Sequence, residues 1–271
     1  ENESLFATEW FGQRLTEIGK QVEQDIKEFK LSEALKKIYS LVWDDYCSWY
    51  LEWIKPAQDH PMHPEHCSKA FYFYEELMKW LHPFMPFVTE EIYHQLSERK
   101  EGDDILMQTM MPSAEPNKEI IAQGEILKSM ITTIRDVKVK QQLKPKDEVI
   151  IHLPASQQSF CAAIEEIVKK QCYANDIQYV TEPVANGISF RVDTWACYLT
   201  TEKVIDTGLQ VDQLQKDLAY YKGFLLSVEK KLSNEKFVQN AKPEVVDIEV
   251  KKKQDAIEKI RIIEESLTLL Q

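Results

Sequence analysis

The sequence predicts a mainly α-helical protein that contains an antiparallel helical bundle, a small α+β connector and a C-terminal antiparallel coiled-coil hairpin. Three observations support this prediction. Apolar residues recur every three or four positions over long stretches, which is helical spacing. Only 7 of the 271 residues are glycine, fewer than the phosphate-binding turns of a nucleotide-binding α/β domain usually need. From residue 209 onward the apolar steps alternate strictly between three and four, as in a coiled coil.

The predicted bundle covers residues 1–146 and holds four long helices. The first lies within 4–29, the third within 66–82 and the fourth within about 119–142. The second ends at Pro56, because a proline cannot continue the hydrogen bonding of a helix interior. This second helix carries an aromatic stripe that we interpret as core packing, made of Tyr39, Trp43, Tyr46, Tyr50 and Trp53.

A histidine-rich loop separates the second and third helices. His60, His63 and His66 lie beside Cys67, and imidazole and thiolate groups are common zinc ligands. The intervening prolines point these side chains in different directions, and no second ligand cluster accompanies them. We therefore expect a solvent-facing loop without a metal site, with Pro64 at the start of the following helix.

The pattern changes near residue 146, where shorter segments begin. VIIHL (149–153), IQYV (177–180) and ISFRV (188–192) are typical of strands, and SFCAAIEEIVKKQCY between the first two fits a helix. These segments predict an α+β connector over 147–205. A unit this small is not expected to form an enzyme domain by itself.

The hairpin is predicted over 206–271. Its first arm carries an apolar seam through Val211, Leu214, Leu218, Tyr221, Leu225, Val228 and Leu232. The second arm starts near Pro243, and its seam includes Ala256, Ile260, Ile263, Leu267 and Leu270. Because the turn is short, we expect the arms to pair within one chain and the protein to be a monomer. Nothing in this stretch supplies a nucleophile or an acid–base pair, so a structural lever is predicted.

Charge is distributed unevenly along the chain. The formal net charge of −12 argues against binding nucleic acid through the whole surface, although local basic patches still act over about 10 Å. One basic patch occupies 134–146, and a second lies in the distal half of the hairpin, within 222–242. Both suit contacts with a phosphate backbone. The alternative explanations are cations that complement a helix end and the mixed surface charge of a coiled coil.

The five cysteines lie far apart without a CxxC pair, as expected for reduced thiols in a cytoplasmic protein. The sequence shows no signal peptide and no apolar run long enough to cross a membrane, so no membrane partner is expected. The sequence begins inside a predicted helix, and we expect it to be part of a longer protein.

The turn of the hairpin, KLSNEKFVQNAKPEVV (231–246), resembles the turn in the C-terminal arm of the bacterial-type valyl-tRNA synthetase family. Three bundle segments are similar to the same family: LSEALKKIYSLVWDDYCSWYLEWIKP, LHPFMPFVTEEIY and TIRDVKVKQQLKPK. The bundle segments are shared with the isoleucine and leucine enzymes, so the hairpin turn is the part that selects valine. The sequence departs from the family where Lys242 separates an alanine from a proline, and where DTGLQVDQLQ opens the coil.

The resemblance implies a chain that binds tRNA(Val). The bundle would hold the anticodon stem and loop, and the hairpin would brace the outer corner of the tRNA. The catalytic signatures of the family are absent from this sequence. Valine activation and transfer, with ATP and Mg, are therefore implied for a part of the protein that precedes residue 1. We expect no catalytic residue and no cofactor within the chain itself.

We predict the contact residues mainly from their charge and their position in the sequence, because the family motifs cover only some of them. RNA is recognised through splayed loop bases and through the backbone of its stems, which calls for aromatic and basic side chains. On the anticodon side of the bundle the predicted contacts are Trp10, Arg14 and Lys55. At the end of the fourth helix, phosphate contacts are predicted for Arg135, Lys138, Lys140 and Lys144. On the hairpin they are predicted for Lys222, Lys230, Lys231, Lys236 and Lys242.

Two alternatives stay open at this point. A bundle with a protruding coil also suits a protein-interaction or dimerisation module. The second alternative is the equivalent region of an isoleucine- or leucine-type synthetase. An intermolecular coil would give a concentration-dependent dimer, which sedimentation distinguishes from a monomeric hairpin.

Overall fold

The computed structural model describes residues 2–56, 61–109, 115–201, 207–234 and 243–269. Within these ranges the chain is mainly helical and contains a four-stranded sheet, which confirms the predicted fold class. It forms two compact units, 1–128 with 162–167 and 129–161 with 168–271. The predicted hairpin and most of the predicted connector fall in the second unit, whereas 162–167 of the connector belong to the first. The boundary at 205 stays a prediction. None of the described helices is both long and apolar enough to cross a membrane.

The first unit is built from helices, two of which begin at a proline. In order they are α1 (Asn2–Lys27), α2 (Leu31–Ser40), a π-helical segment (Leu41–Tyr50), α3 (Leu51–Ile54), α4 (Pro64–Leu81), α5 (Pro86–Leu96) and a 3₁₀ turn (Ile105–Met107). Pro64 and Pro86 each occupy the first turn of a helix, where a missing N–H breaks no helical hydrogen bond. Helix α6 (Lys118–Lys140) begins in this unit and ends in the second.

The core of the first unit is aromatic. The ring of Phe11 lies 5.2 Å from Tyr46, 5.1 Å from Tyr50 and 5.0 Å from Phe73, measured between ring centroids. Two of these pairs are edge-to-face and the pair with Tyr50 is stacked, and such arrangements contribute beyond the area that they bury. The cluster joins α1, the π-helical segment and α4 around one side chain.

The predicted aromatic stripe divides between core and surface. Tyr46, Tyr50 and Trp53 are buried, as predicted, whereas Tyr39 and Trp43 are exposed, so the core interpretation is wrong for these two. The reason lies in which face α2 presents to its neighbours. Its buried side chains are Ala34 and Ile38, and each residue is rotated by about 100° from the one before it. Tyr39 therefore points away from the packed face.

After α6 the chain forms the connector. Its elements are β1 (Val149–Pro154), a 3₁₀ turn (Ala155–Gln157), α7 (Gln158–Cys161), α8 (Glu165–Cys172), β2 (Ala174–Val180), β3 (Ile188–Val192) and β4 (Trp195–Thr200). The strand order is β2-β1-β4-β3, with β1 parallel to β2 and the other two pairings antiparallel. Burial alternates along β3, where Ile188, Phe190 and Val192 are buried.

The hairpin consists of α9 (Thr207–Leu232) and α10 (Pro243–Leu269), which pack side by side. Ion pairs cross between them at Lys231–Glu249 (3.7 Å), Glu229–Lys253 (3.0 Å) and Lys222–Glu264 (2.7 Å). The residue numbers fall on one helix as they rise on the other, so the helices are antiparallel. Val228, Ala256 and Ile263 are buried along the seam, and α10 also contacts β3.

Candidate nucleic-acid interface

A tight helix ending shapes the basic patch at the end of α6. Gln142 has a positive φ of 55°. The N–H of Gln142 donates to the carbonyl of Val139 at 3.0 Å, and the N–H of Leu143 donates to the carbonyl of Lys138 at 2.8 Å. This pair of hydrogen bonds defines a Schellman ending, in which glycine is the usual residue at the position of Gln142. The backbone therefore changes direction sharply at Gln142. The basic side chains of α6 and those that follow the turn lie on separate segments.

Three of the four predicted phosphate contacts on this patch are exposed: Arg135, Lys140 and Lys144. The Arg135 guanidinium donates two hydrogen bonds to Gln171, one to its backbone carbonyl at 3.2 Å and one to its side-chain oxygen at 2.9 Å. Both bonds come from a single nitrogen, and a guanidinium carries five N–H donors. Arg135 is thereby held in place while part of its donor set still faces outward.

Lys138 differs from its neighbours, and the structure corrects its predicted role. The residue is only 2% exposed. Its ammonium donates to the backbone carbonyls of Pro145 at 3.2 Å, of Asp147 at 2.7 Å and of Cys172. An ammonium has three donors, so these bonds use all of them, and burial lowers the pKa of Lys138. The side chain joins the end of α6 to the connector and is not available to a phosphate.

Trp10 is also corrected, because its ring is completely buried. The indole lies 4.6 Å from the ring of Trp53, and the Lys128 ammonium lies 4.7 Å from its centroid. The backbone of Gly124 approaches so closely that a Cβ there would stand 2.1 Å from the indole ring. A ring enclosed on these sides has no surface to offer to a base, so Trp10 packs the core.

Arg14 and Lys55 occupy different environments. Arg14 is half-buried and donates from Nε to the carboxylate of Asp45 at 2.9 Å, and it also pairs with Glu17. The buried Asp45 accepts a further hydrogen bond from the Lys128 ammonium at 2.6 Å. Arg14 therefore neutralises a buried carboxylate between α1 and the π-helical segment. Lys55 is exposed at the end of α3, with Glu52 at 2.8 Å.

The described lysines of the hairpin remain at its surface. Lys222, Lys230 and Lys231 are all exposed on α9. Lys222 and Lys231 take part in the ion pairs that cross the hairpin. Exposed pairs of this kind contribute little to stability, so a phosphate can replace the carboxylate partner at small cost. Lys236 and Lys242 lie outside the described residues.

The histidine loop supplies a helix cap. His63 precedes α4, and its Nδ1 accepts a hydrogen bond from the N–H of Glu65 at 3.4 Å. Its ring centroid lies 5.5 Å from that of His66. His60 lies outside the described residues. The contacts of His63 give this part of the loop a structural role.

Within the described ranges, one other group brings possible metal ligands together. Glu90, His94 and Asp104 each place a ligand atom within 4.8 Å of the others. His94 Nε2 already lies 3.2 Å from both carboxylates, and Glu90 accepts a hydrogen bond from the N–H of Ile105 at 2.8 Å. These contacts explain the grouping as a link between α5 and the 3₁₀ turn.

Comparisons with known proteins match almost the whole chain. The family model described as the anticodon-binding domain of tRNA ligase matches residues 8–153, and the model described as the valyl tRNA synthetase tRNA binding arm matches 208–271. A protein from Phocaeicola vulgatus named valine–tRNA ligase is 36% identical over 264 residues, which cover 97% of this chain and 30% of that protein. A protein of the same name from Parabacteroides distasonis is 34% identical over 267 residues, or 98% of this chain and 30% of the relative.

A more distant relative, the valine–tRNA ligase of Agrobacterium fabrum, is 28% identical over 277 residues and again covers 99% of this chain. The chain spans about 30% of the length of the first curated relatives that it matches. The matched ranges include the bundle, the start of the connector and the hairpin described above. The chain therefore belongs to the family of anticodon-binding domains of tRNA ligases, and it joins that domain to an arm of the valyl-tRNA synthetase type.

Proposed function

We propose that this chain is the tRNA-binding portion of a valine–tRNA ligase and that it positions tRNA(Val) for aminoacylation. The observation that carries the proposal is the presence of both matched parts in one chain, an anticodon-binding domain over 8–153 and a tRNA-binding arm over 208–271. The relatives named above carry both parts in the same order, because their similarity runs along 97% of this chain or more.

The two parts would contact the tRNA at separate places. Unpaired loop bases can be read individually, whereas a helical stem offers mainly its shape and its phosphates. In this proposal the bundle holds the anticodon stem and loop, and the hairpin braces the outer corner of the tRNA through its backbone. The proposed phosphate contacts are the exposed cations Lys55, Arg135, Lys140, Lys144, Lys222, Lys230 and Lys231, with Lys236 and Lys242 proposed from sequence alone.

The chemistry would belong to another part of a longer protein. There, valine would be activated with ATP and Mg and transferred to the tRNA. This chain would contribute affinity and orientation, acting as a monomer in the cytoplasm. The described cysteines support a reducing compartment, because all five are free thiols and three of them are buried.

The salt dependence of tRNA binding tests the proposed contacts of the hairpin. Each phosphate contact that is lost should reduce the slope of log affinity against log salt by about one. We expect alanine at Lys222, Lys230, Lys231, Lys236 and Lys242 to flatten that slope by roughly three to five. Arginine at the same five positions keeps the charge and is the matched control. An unchanged slope in the alanine variant would show that the hairpin does not contact the backbone.

Two further measurements separate the alternatives. Sequencing the cellular tRNAs that the immobilised chain retains should show enrichment of valine tRNAs. Enrichment of isoleucine or leucine tRNAs would instead assign the chain to one of those synthetases. Sedimentation at several concentrations should give a monomer, consistent with the ion pairs between α9 and α10. A concentration-dependent dimer would favour an interaction or dimerisation module.

A further inference from the structure

Three side chains that could bind a metal meet between α5 and the 3₁₀ turn. Glu90 and His94 lie four residues apart on α5, so they share one face of the helix. Asp104 immediately precedes the 3₁₀ turn. The Nε2 atom of His94 lies 3.2 Å from Oε1 of Glu90 and 3.2 Å from Oδ1 of Asp104. We call these three residues the α5 cluster.

The distances within the α5 cluster suit a bound zinc ion. Zinc bonds to imidazole nitrogen and carboxylate oxygen are about 2.0–2.2 Å long, so neighbouring ligand atoms of a tetrahedral site lie roughly 3.3–3.5 Å apart. The two distances from Nε2 of His94 are close to that spacing. The charges also balance, because two carboxylates and a neutral imidazole compensate the charge of a divalent cation.

The contacts of the α5 cluster already link α5 to the 3₁₀ turn, but they do not use all of its ligand atoms. The Nε2 atom of an imidazole carries one hydrogen at most, whether the ring is neutral or protonated. It can therefore donate one full hydrogen bond, although two carboxylate oxygens lie at the same distance from it. A cation between the three side chains would interact with all three ligand atoms at once.

The segment that follows α5 is anchored on both sides of the cluster. The Tyr93 hydroxyl donates to Oδ1 of Asp103 at 3.1 Å, and the guanidinium carbon of Arg99 lies 3.7 Å from the centroid of the Tyr93 ring. The N–H of Ile105 donates to Oε1 of Glu90 at 2.8 Å. A hydrogen bond to a ligand oxygen is the usual means by which a protein orients a metal ligand. The ligand atoms are therefore positioned before an ion binds.

We propose that Glu90, His94 and Asp104 bind a zinc ion, with water as the fourth ligand, and that the ion fastens the segment after α5 to that helix. Three protein ligands and one water form an arrangement that zinc adopts in proteins. The three side chains are 28%, 41% and 52% exposed, so an ion and its water can reach them. This site goes beyond the proposed tRNA-binding function and does not depend on it.

Titration of the 271-residue chain with zinc tests the site. After a chelator has removed any bound metal, isothermal titration calorimetry should show that the unchanged chain binds zinc. His94→Gln and Asp104→Asn each remove one ligand and should weaken zinc binding at least about tenfold, because even the outer-shell partners of a metal contribute that much to its affinity. Circular dichroism should show that both variants stay folded, since both side chains are partly exposed.

Two controls make the test specific. The rings of His63 and His66 lie 5.5 Å apart between their centroids, and imidazoles there could also bind zinc. His66→Gln is the matched control and should leave the zinc affinity unchanged. The amide of Ile105 gives a local readout, because its N–H donates to Glu90. Zinc should slow hydrogen exchange of this amide in the unchanged chain at constant pH, and should not do so in His94→Gln.

Three results would overturn the proposed zinc site. If the unchanged chain bound no zinc at millimolar concentration, the α5 cluster would be a hydrogen-bonded link alone. Equal zinc affinity of the unchanged chain and His94→Gln would show that the ion binds elsewhere. Loss of zinc binding in His66→Gln, with retention in His94→Gln, would assign the ion to the histidine loop.

Discussion

Helices α6 and α9 are similar in length and were both expected to present lysines to phosphates, yet their surroundings differ. On α6, Leu127, Met130, Ile131 and Ile134 are completely buried. Among the described seam residues of α9, Val228 is buried to a similar degree, and the others are partly exposed. Helix α6 is enclosed by packing, whereas α9 lies against one partner helix along most of its described length. The same residue type can therefore have opposite roles on the two helices.

Lysine illustrates the difference. On α9, Lys222, Lys230 and Lys231 are exposed, although Lys222 and Lys231 also pair with carboxylates of α10. On α6, Lys138 is surrounded by carbonyl groups and contributes to the fold. A count of positive charges treats all of these residues as equal. Burial and partners separate the cations that support the structure from those that remain at the surface.

The largest effect should come from Lys138→Met. The variant removes the ammonium that donates to three backbone carbonyls, of which that of Cys172 belongs to a buried residue, and hydrogen bonds to a charged group contribute about 1.5–3 kcal/mol each. We expect the free energy of unfolding to fall by about 3 kcal/mol, as measured by urea denaturation. The matched control is Lys140→Met, two residues further along α6 and exposed. Equal stability of the two variants would contradict the structural role of Lys138.

The same glycine-to-alanine change should have opposite signs on the two helices. At Gly124 the new Cβ would stand 2.1 Å from the buried indole of Trp10, whereas at Gly223 no other group lies within 4 Å. We expect Gly124→Ala to destabilise the protein by about 2 kcal/mol through overpacking. Gly223→Ala should stabilise α9 by up to about 1 kcal/mol through helix propensity. Thermal unfolding followed by circular dichroism measures both, and stabilisation by Gly124→Ala would show that the core accommodates the methyl group.

The smallest effect concerns acid sensitivity of the hairpin. A hydrogen bond from the Lys252 ammonium, with a further contribution from Lys231, lowers the pKa of the Glu249 carboxyl. The stability from this carboxylate is fully present above its unfolded pKa, about 4.3, and is lost as the pH falls through the lower folded value. The protection of the α9 and α10 amides from hydrogen exchange, relative to an unstructured peptide at the same pH, should therefore decrease below about pH 4.

Two variants test the assignment of that acid effect. Glu249→Gln should remove this contribution to the pH dependence of exchange, because the side chain no longer titrates. Lys252→Met should reduce it, because the main cause of the lowered pKa is absent. If the unchanged chain and Glu249→Gln showed the same response to acid, another group would be responsible.

Much of the fold could be predicted from the spacing of apolar residues and from the prolines. Pro64, Pro86 and Pro243 each mark the first turn of a helix in the structure. The candidate site was harder to predict, although the sequence held part of the signal. Lys138 follows Ile134 by four residues, which places it on the buried face of α6. Arg14 meets Asp45 across 31 residues, and Asp45 meets Lys128 across 83, so no local pattern could reveal that network.

The sequence by itself determined the helical periods, three of the four strand segments, the start of α10 and the resemblance that led to the tRNA-binding proposal. Those features depend on neighbours within a few positions along the chain, where spacing and proline geometry act directly. Only the tertiary structure decided that Trp10 and Lys138 are enclosed and that Tyr39 and Trp43 are exposed. Burial depends on which elements pack against each helix face, and those contacts join residues that are far apart in sequence.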